Sequence, residues 1–143
     1  MKLNCHDIGI TDRLVMCSNG QEVVDYFDRL LDDVKESQGD RMTPFQPVAL
    51  LLLDINMPIL GGMEALKIIK SKYQRMNSAL DLGDTGRQDG NPLLLRPVIC
   101  YLSQYSQGTM MQFLTEEEHA DCYLEKPLPF NELKSLLRLL NIY

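Results

Sequence analysis

The chain has 143 residues, a length that fits a single domain with one hydrophobic core. Its formal net charge of −6 argues against direct binding to nucleic acid, which requires clustered lysine and arginine on one face. No apolar run approaches the roughly 20 residues that span a bilayer. We therefore expect a cytoplasmic protein without membrane insertion, whose four cysteines are free thiols and not zinc ligands.

The first part of the chain predicts a strand, a helix, a loop and a second strand. Residues 13–17 form a short apolar run closed by a Ser-Asn-Gly turn signal. Over residues 23–34, apolar side chains recur with the period of a helix. Residues 36–47 contain glycine and proline and predict an inserted loop. Residues 48–54 are apolar without alternation, which is typical of a strand covered on both faces, and Asp54 ends this strand.

The rest of the chain continues the alternation of helices and strands. The predicted elements are a helix over residues 63–76, a surface insertion over 77–92, a buried strand over 97–102, a short helix over 110–114, a strand over 121–124 and a helix over 131–140. Alternating elements of this kind predict an α/β fold with a doubly wound parallel sheet. Residues 1–143 are predicted to form one domain.

Three polar residues follow the predicted strands at their carboxyl ends, which is where open parallel sheets bind ligands. They are Asp54, Ser103 and Lys126. A carboxylate, a hydroxyl and an ammonium group together suit a phosphoryl group, with the carboxylate as nucleophile and the other two binding the transferred oxygens. Each residue alone also has a structural interpretation, as a helix cap, a turn residue or a solvated charge.

Taken together, the motifs LLLDINMPILGG at 51–62, ICYLS at 99–103 and CYLEKPL at 122–128 resemble the receiver domain of response regulators in phosphorelay and two-component signalling. In that family a phosphoryl group passes from a kinase histidine to an aspartate. The resemblance implies a flavodoxin-like fold and covers roughly residues 14–140. It also implies Mg²⁺ as the cofactor of an active domain, and a histidine kinase or phosphotransfer protein as the partner.

The resemblance assigns a role to each matching residue. Asp54 resembles the phosphoacceptor, and Asn56 resembles the residue whose backbone carbonyl helps to bind Mg²⁺. Ser103 and Tyr123 resemble the switch hydroxyl and the switch aromatic. Lys126 resembles the lysine that binds the phosphoryl group, and the peptide bond that follows it is expected to be cis.

The family's first strand and helix, including the acidic residues that complete the metal site, have no counterpart in this sequence. We therefore expect four strands, with a gap between residues 13–17 and residues 48–54. Either a partner protein supplies a strand by β-augmentation within a multi-protein assembly, or residues 13–17 pair directly with residues 48–54.

Three functions are compatible with this sequence. The first is a working phosphoacceptor, with at most self-catalysed phosphotransfer and dephosphorylation, for which the missing first strand and helix come from another chain or from an upstream segment of this polypeptide. The second is a pseudo-receiver that lacks this chemistry, needs no metal and acts as an interaction or structural subunit. The third is a phosphohydrolase that uses residues 54–56 as a D-x-D-like motif, although Asn56 stands where such an enzyme has a second carboxylate.

Overall fold

The computed structural model describes residues 14–36, 45–81 and 94–142, and for residues 79–81 it describes the backbone alone. Seven regular elements follow one another in these ranges: α1 (Gly20–Glu36), β1 (Leu50–Asp54), α2 (Gly62–Asp81), β2 (Val98–Ser103), α3 (Gln107–Met111), β3 (Cys122–Glu125) and α4 (Phe130–Leu139). A 3-10 turn at Glu116–Glu118 lies before β3. The predicted α/β class is confirmed.

The three strands form one parallel sheet in the order β1-β2-β3. In this register Asp54 lies opposite Leu102, and Ser103 lies opposite Glu125. Parallel strands that are covered on both faces need apolar side chains in succession, and the four consecutive leucines of β1 meet this need. The carboxyl ends of all three strands therefore lie along one edge of the sheet.

Helices cover both faces of the sheet. On one face, α1 and α2 pack over β1 and β2 through a cluster that includes Phe27, Ile69, Leu53 and Tyr101. On the other face, α4 packs through Leu133 and Leu137 onto Leu102. A parallel sheet with helices on both faces is compatible with the predicted doubly wound arrangement.

The start of α1 is capped and anchored to the loop that follows β1. The side-chain oxygen of Asn19 accepts a hydrogen bond from the backbone N–H of Glu22 at 2.9 Å, and the Glu22 carboxylate accepts one from Ser18 N–H at 2.7 Å. The first bond satisfies a donor that the helix itself leaves unpaired, and the second ties the residues before the helix to its first turn. Gly20 donates its backbone N–H to the Leu60 carbonyl at 3.1 Å, which a Cβ at position 20 would approach to 2.2 Å.

The prediction of a strand over residues 13–17 is wrong for residues 14–17, which the structure describes. These residues are in no strand, and Leu14, Val15 and Met16 are exposed. An apolar run becomes a strand only when a neighbouring strand completes its hydrogen bonds. Neither β1 nor another described strand does so, and the described residues form three strands in place of the expected four.

The predicted start of the second insertion, at residue 77, is also wrong, because α2 continues to Asp81. The amide side chain of Asn77 explains part of this difference. It donates to the Leu94 carbonyl and accepts from the Leu94 N–H, both at 2.9 Å, and so pairs with that residue as a neighbouring strand would. The remainder of this insertion, and residues 37–44 of the first one, lie outside the described residues.

Across the three described ranges, no helix combines the length and the hydropathy that crossing a bilayer requires.

Candidate functional site

The sheet brings Asp54, Ser103 and Lys126 to the same edge. Asp54 and Ser103 are the last residues of β1 and β2, and Lys126 comes directly after the last residue of β3. Lys126 N–H also donates to the Ser103 carbonyl at 2.8 Å, which extends the pairing of β2 and β3 by one residue. The geometry thus agrees with the convergence expected from the sequence.

The central contact is an ion pair between Lys126 Nζ and Asp54 Oδ2. The other carboxylate oxygen, Oδ1, accepts a hydrogen bond from the backbone N–H of Asn56 at 3.0 Å. The Asp54 side chain is 33% exposed and that of Lys126 is 27% exposed. The carboxylate is therefore oriented by a cation and a backbone donor, while solvent and small reactants can still reach it.

Ser103 is the last residue of the neighbouring strand, β2. Ser103 is 5% exposed, and its Oγ accepts a hydrogen bond from the backbone N–H of Tyr105 at 3.0 Å. Because Oγ accepts this bond, the hydroxyl proton is available for a second acceptor. The peptide bond between Lys126 and Pro127 is cis, as the sequence resemblance leads us to expect.

The loop after Asp54 is held close to the end of β1. Gly62 donates its N–H to the Ile55 carbonyl at 3.0 Å, and Leu60 donates to the Pro58 carbonyl at 2.7 Å. The second bond closes a tight turn centred on Ile59, whose φ is 69°. A positive φ is costly for a β-branched residue, and 82% of the surface of Ile59 is exposed.

The sequence alone did not indicate the strained turn at Ile59. Isoleucine is among the residues least compatible with positive φ, so its identity points away from this conformation. The only local signal is the proline before it and the glycine pair after it, which mark a turn without specifying its centre.

Tyr123, the predicted switch aromatic, lies on the sheet face that α1 and α2 cover. Its hydroxyl accepts a hydrogen bond from the backbone N–H of Ala120 at 3.1 Å, and its ring centroid lies 5.9 Å from that of Tyr101. Ala120 precedes β3, so the hydroxyl is directed toward the start of that strand. In this structure Tyr123 therefore points away from the edge that carries Asp54.

Oxygen atoms suited to a hard divalent cation come from Asp54 and Asn56. The first has a carboxylate, and the second has the backbone carbonyl to which the resemblance assigns a role in binding Mg²⁺. Among the described residues there is no group of three or more His, Cys, Asp or Glu side chains that could hold a metal ion. A Mg²⁺ ion commonly keeps several water ligands and binds proteins through one or two carboxylates, so these two donors fit part of such a site.

No family model matches this sequence, and no curated protein is significantly similar to it. The features that point to a function are therefore the polar side chains at the carboxyl ends of the strands, Asp54, Ser103 and Lys126, and the short motifs around them.

Proposed function

We propose that this chain is a receiver domain with a flavodoxin-like fold, and that Asp54 accepts a phosphoryl group from a histidine kinase or phosphotransfer protein. The observation that carries this proposal is the ion pair between Asp54 and Lys126, formed at the edge where Ser103 also ends its strand. The strand order β1-β2-β3 supports the flavodoxin-like arrangement, in which the last three strands follow one another across the sheet.

The roles of the side chains follow from charge. A carboxylate oxygen of Asp54 attacks phosphorus, so that a new O–P bond forms while the P–N bond to the donor histidine breaks and the imidazole leaves. Attack by an anion on an anionic phosphoryl group is disfavoured unless cations offset the charge. The ammonium group of Lys126 then moves from the Asp54 carboxylate to the oxygens of the phosphoryl group. The Ser103 hydroxyl donates a hydrogen bond to one of these oxygens.

Asp54 and the carbonyl of Asn56 would hold Mg²⁺ together with water molecules and ligands from outside the described residues. Bound there, the ion would neutralise charge on the phosphoryl oxygens. The backbone N–H of Asn56 already fixes one oxygen of Asp54. This leaves Oδ2, the oxygen paired with Lys126, as the one whose surroundings must rearrange when the phosphoryl group arrives.

Phosphorylation with acetyl phosphate and Mg²⁺ tests this proposal. We expect a single phosphoryl group on Asp54, stable in acid and labile in base and mapped by peptide mass spectrometry, when the remaining metal ligands are supplied, and no label on residues 1–143 alone. Asp54→Asn should abolish the modification. Asp28→Asn is a matched control, because Asp28 also forms an ion pair with a partly buried lysine, Lys72, but on α1 and α2. Persistent labelling of the Asp54→Asn protein would refute the assignment.

A second candidate is a pseudo-receiver that binds a partner and accepts no phosphoryl group. The long side of β1 that faces away from β2 favours this second candidate. No described strand pairs with β1 on that side, and Leu50 and Leu52 on this strand are only partly buried. An unpaired apolar edge is a template for another strand. Under this candidate the chain is a cytoplasmic subunit of an assembly in which another polypeptide supplies that strand.

Hydrogen exchange and phosphorylation together distinguish the two candidates. In the isolated chain we expect the amides of β1 to exchange faster than those of β2, which has strands on both sides. For a pseudo-receiver, no label should appear on Asp54, and a bound partner should slow exchange in β1. Equal protection of β1 and β2 in the isolated chain would argue against an open edge.

A further inference from the structure

Two cysteines lie side by side in the sheet. Cys100 of β2 and Cys122 of β3 are direct partners in the parallel register. Opposite residues on neighbouring strands point to the same face, and such strands lie about 4.8 Å apart. Disulfide-bonded cysteines usually have Cα atoms about 4.4–6.8 Å apart. The spacing of the two Cα atoms therefore lies within the range found in disulfides, so that only a small local approach is needed to form one.

The two thiols differ in access to solvent. Cys100 is fully buried, whereas Cys122 is partly buried, and both are free thiols. Burial raises the pKa of Cys100, and the adjacent thiol of Cys122, which shares a hydrogen bond with it, raises this pKa further. A reagent in solution therefore reaches the thiol of Cys122 before that of Cys100, which is buried and stays protonated.

We propose that Cys100 and Cys122 are an intrachain redox pair, which closes a reversible disulfide in the presence of a small disulfide oxidant such as oxidised glutathione. The sulfur of Cys122, having lost its proton, attacks the oxidant, so that a mixed disulfide forms and the first glutathione leaves as a thiolate. The sulfur of Cys100 then attacks the sulfur of Cys122. The second glutathione leaves and takes the proton of Cys100.

In this reaction the disulfide of oxidised glutathione is replaced by a disulfide within the protein. The two protein thiols lose two electrons and two protons, and the oxidant becomes two molecules of reduced glutathione. The high pKa of Cys100 slows the second step, because a thiolate is the better nucleophile. Contact with the sulfur of Cys122 compensates by keeping the two reacting atoms together.

The geometry predicts a disulfide that is easily reduced. The Cβ atoms of a disulfide lie about 3.8 Å apart on average, less than the spacing of about 4.8 Å between neighbouring strands. The two strands must therefore approach each other locally, and strained disulfides are the more reducible ones. The approach takes place on the strands that end at Ser103 and lead to Lys126.

The experiment uses a Cys5→Ser, Cys17→Ser background, in which Cys100 and Cys122 are the only cysteines. The folded protein is incubated with oxidised glutathione and unfolded in the presence of an alkylating reagent. Intact mass then counts the thiols that remain. We expect loss of both alkylation sites in a monomer without bound glutathione, a cross-linked peptide that contains both cysteines, and recovery of both sites after dithiothreitol.

Single variants in the same background separate the two roles. Cys100→Ser should retain one glutathione on Cys122, and Cys122→Ser should remain unmodified while folded, as monitored by circular dichroism. Three results would overturn the proposal: no reaction of the folded protein, a stable mixed disulfide on Cys122 with Cys100 intact, or a disulfide that forms only in urea. These readouts are independent of any phosphorylation of Asp54.

Discussion

Replacement of Gly62 by alanine should destabilise the protein and disturb the backbone of the proposed phosphoacceptor. A Cβ at position 62 would lie 2.3 Å from the carbonyl oxygen of Asp54 and 2.9 Å from the Cα of Ile55. Non-bonded heavy atoms normally sit about 3.5–4.0 Å apart, so the chain must shift by on the order of 1 Å. Both neighbours are backbone atoms, which cannot rotate away as a side chain does.

The magnitude combines two contributions. Overpacking in a well-packed region costs about 1–3 kcal/mol. The shift also weakens the hydrogen bond from Gly62 N–H to the Ile55 carbonyl, which contributes about 0.5–1.5 kcal/mol. We therefore expect the Gly62→Ala substitution to lower the free energy of unfolding by about 2–4 kcal/mol.

The preceding glycine provides a matched control. A Cβ at Gly61 would meet only the Ile55 carbonyl oxygen, at 3.7 Å, which is ordinary van der Waals contact. Gly61→Ala should therefore leave the free energy of unfolding unchanged or raise it by about 0.4–1 kcal/mol, because alanine restricts the unfolded chain. Urea unfolding followed by circular dichroism measures both variants. Equal effects of the two substitutions would refute the argument from the close contact at Gly62.

Four further predictions concern buried hydroxyl groups and backbone strain, and each is read from urea unfolding curves. Tyr73→Phe should raise the free energy of unfolding by about 1 kcal/mol, because the buried hydroxyl has no hydrogen-bond partner among the described residues. Tyr101→Phe should lower the free energy of unfolding by about 1 kcal/mol, because its hydroxyl donates to the Glu118 carbonyl at 2.6 Å. A destabilised Tyr73→Phe or a stabilised Tyr101→Phe would contradict the respective prediction. Burial raises the pKa of Tyr73 and Tyr101, so above pH of about 10 the unfolded chain loses protons that the folded chain keeps. The free energy of unfolding should fall in this range by up to about 1.4 kcal/mol per pH unit for each tyrosine. Tyr73→Phe should make this fall less steep. An unchanged slope would contradict a raised pKa for Tyr73. Ile59→Gly should raise the free energy of unfolding by about 0.5–1 kcal/mol through relief of the positive φ, and a loss of stability would show that the turn is unstrained.

The sequence predicted those elements whose signal is contained within the element itself. The continuous leucines of β1 and the helical period of α1 identify a buried strand and an amphipathic helix without knowledge of their neighbours. The convergence of Asp54, Ser103 and Lys126 was also predictable, because parallel strands place their carboxyl ends along one edge.

The errors occurred where a distant residue decides the local structure. Residues 14–17 are apolar, but whether they form a strand depends on a pairing neighbour that the local pattern does not reveal. Asn77 reads as a turn residue, yet the last turns of α2 include it, and its amide pairs with Leu94 seventeen residues later. The tight turn at Ile59 depends in the same way on the loop closure around it.

The hydrogen bond from Lys126 N–H to the Ser103 carbonyl limits how the cation of the site can move. Its main chain belongs to the sheet, so the base of this side chain is a fixed pivot. Only rotations about the bonds of its own methylene chain can move the ammonium group away from the Asp54 carboxylate. Rotamer changes of exposed side chains take place in picoseconds to nanoseconds, far faster than rearrangements of a loop. Under the proposed function, the charge of Lys126 can therefore follow the phosphoryl group without a change in the backbone.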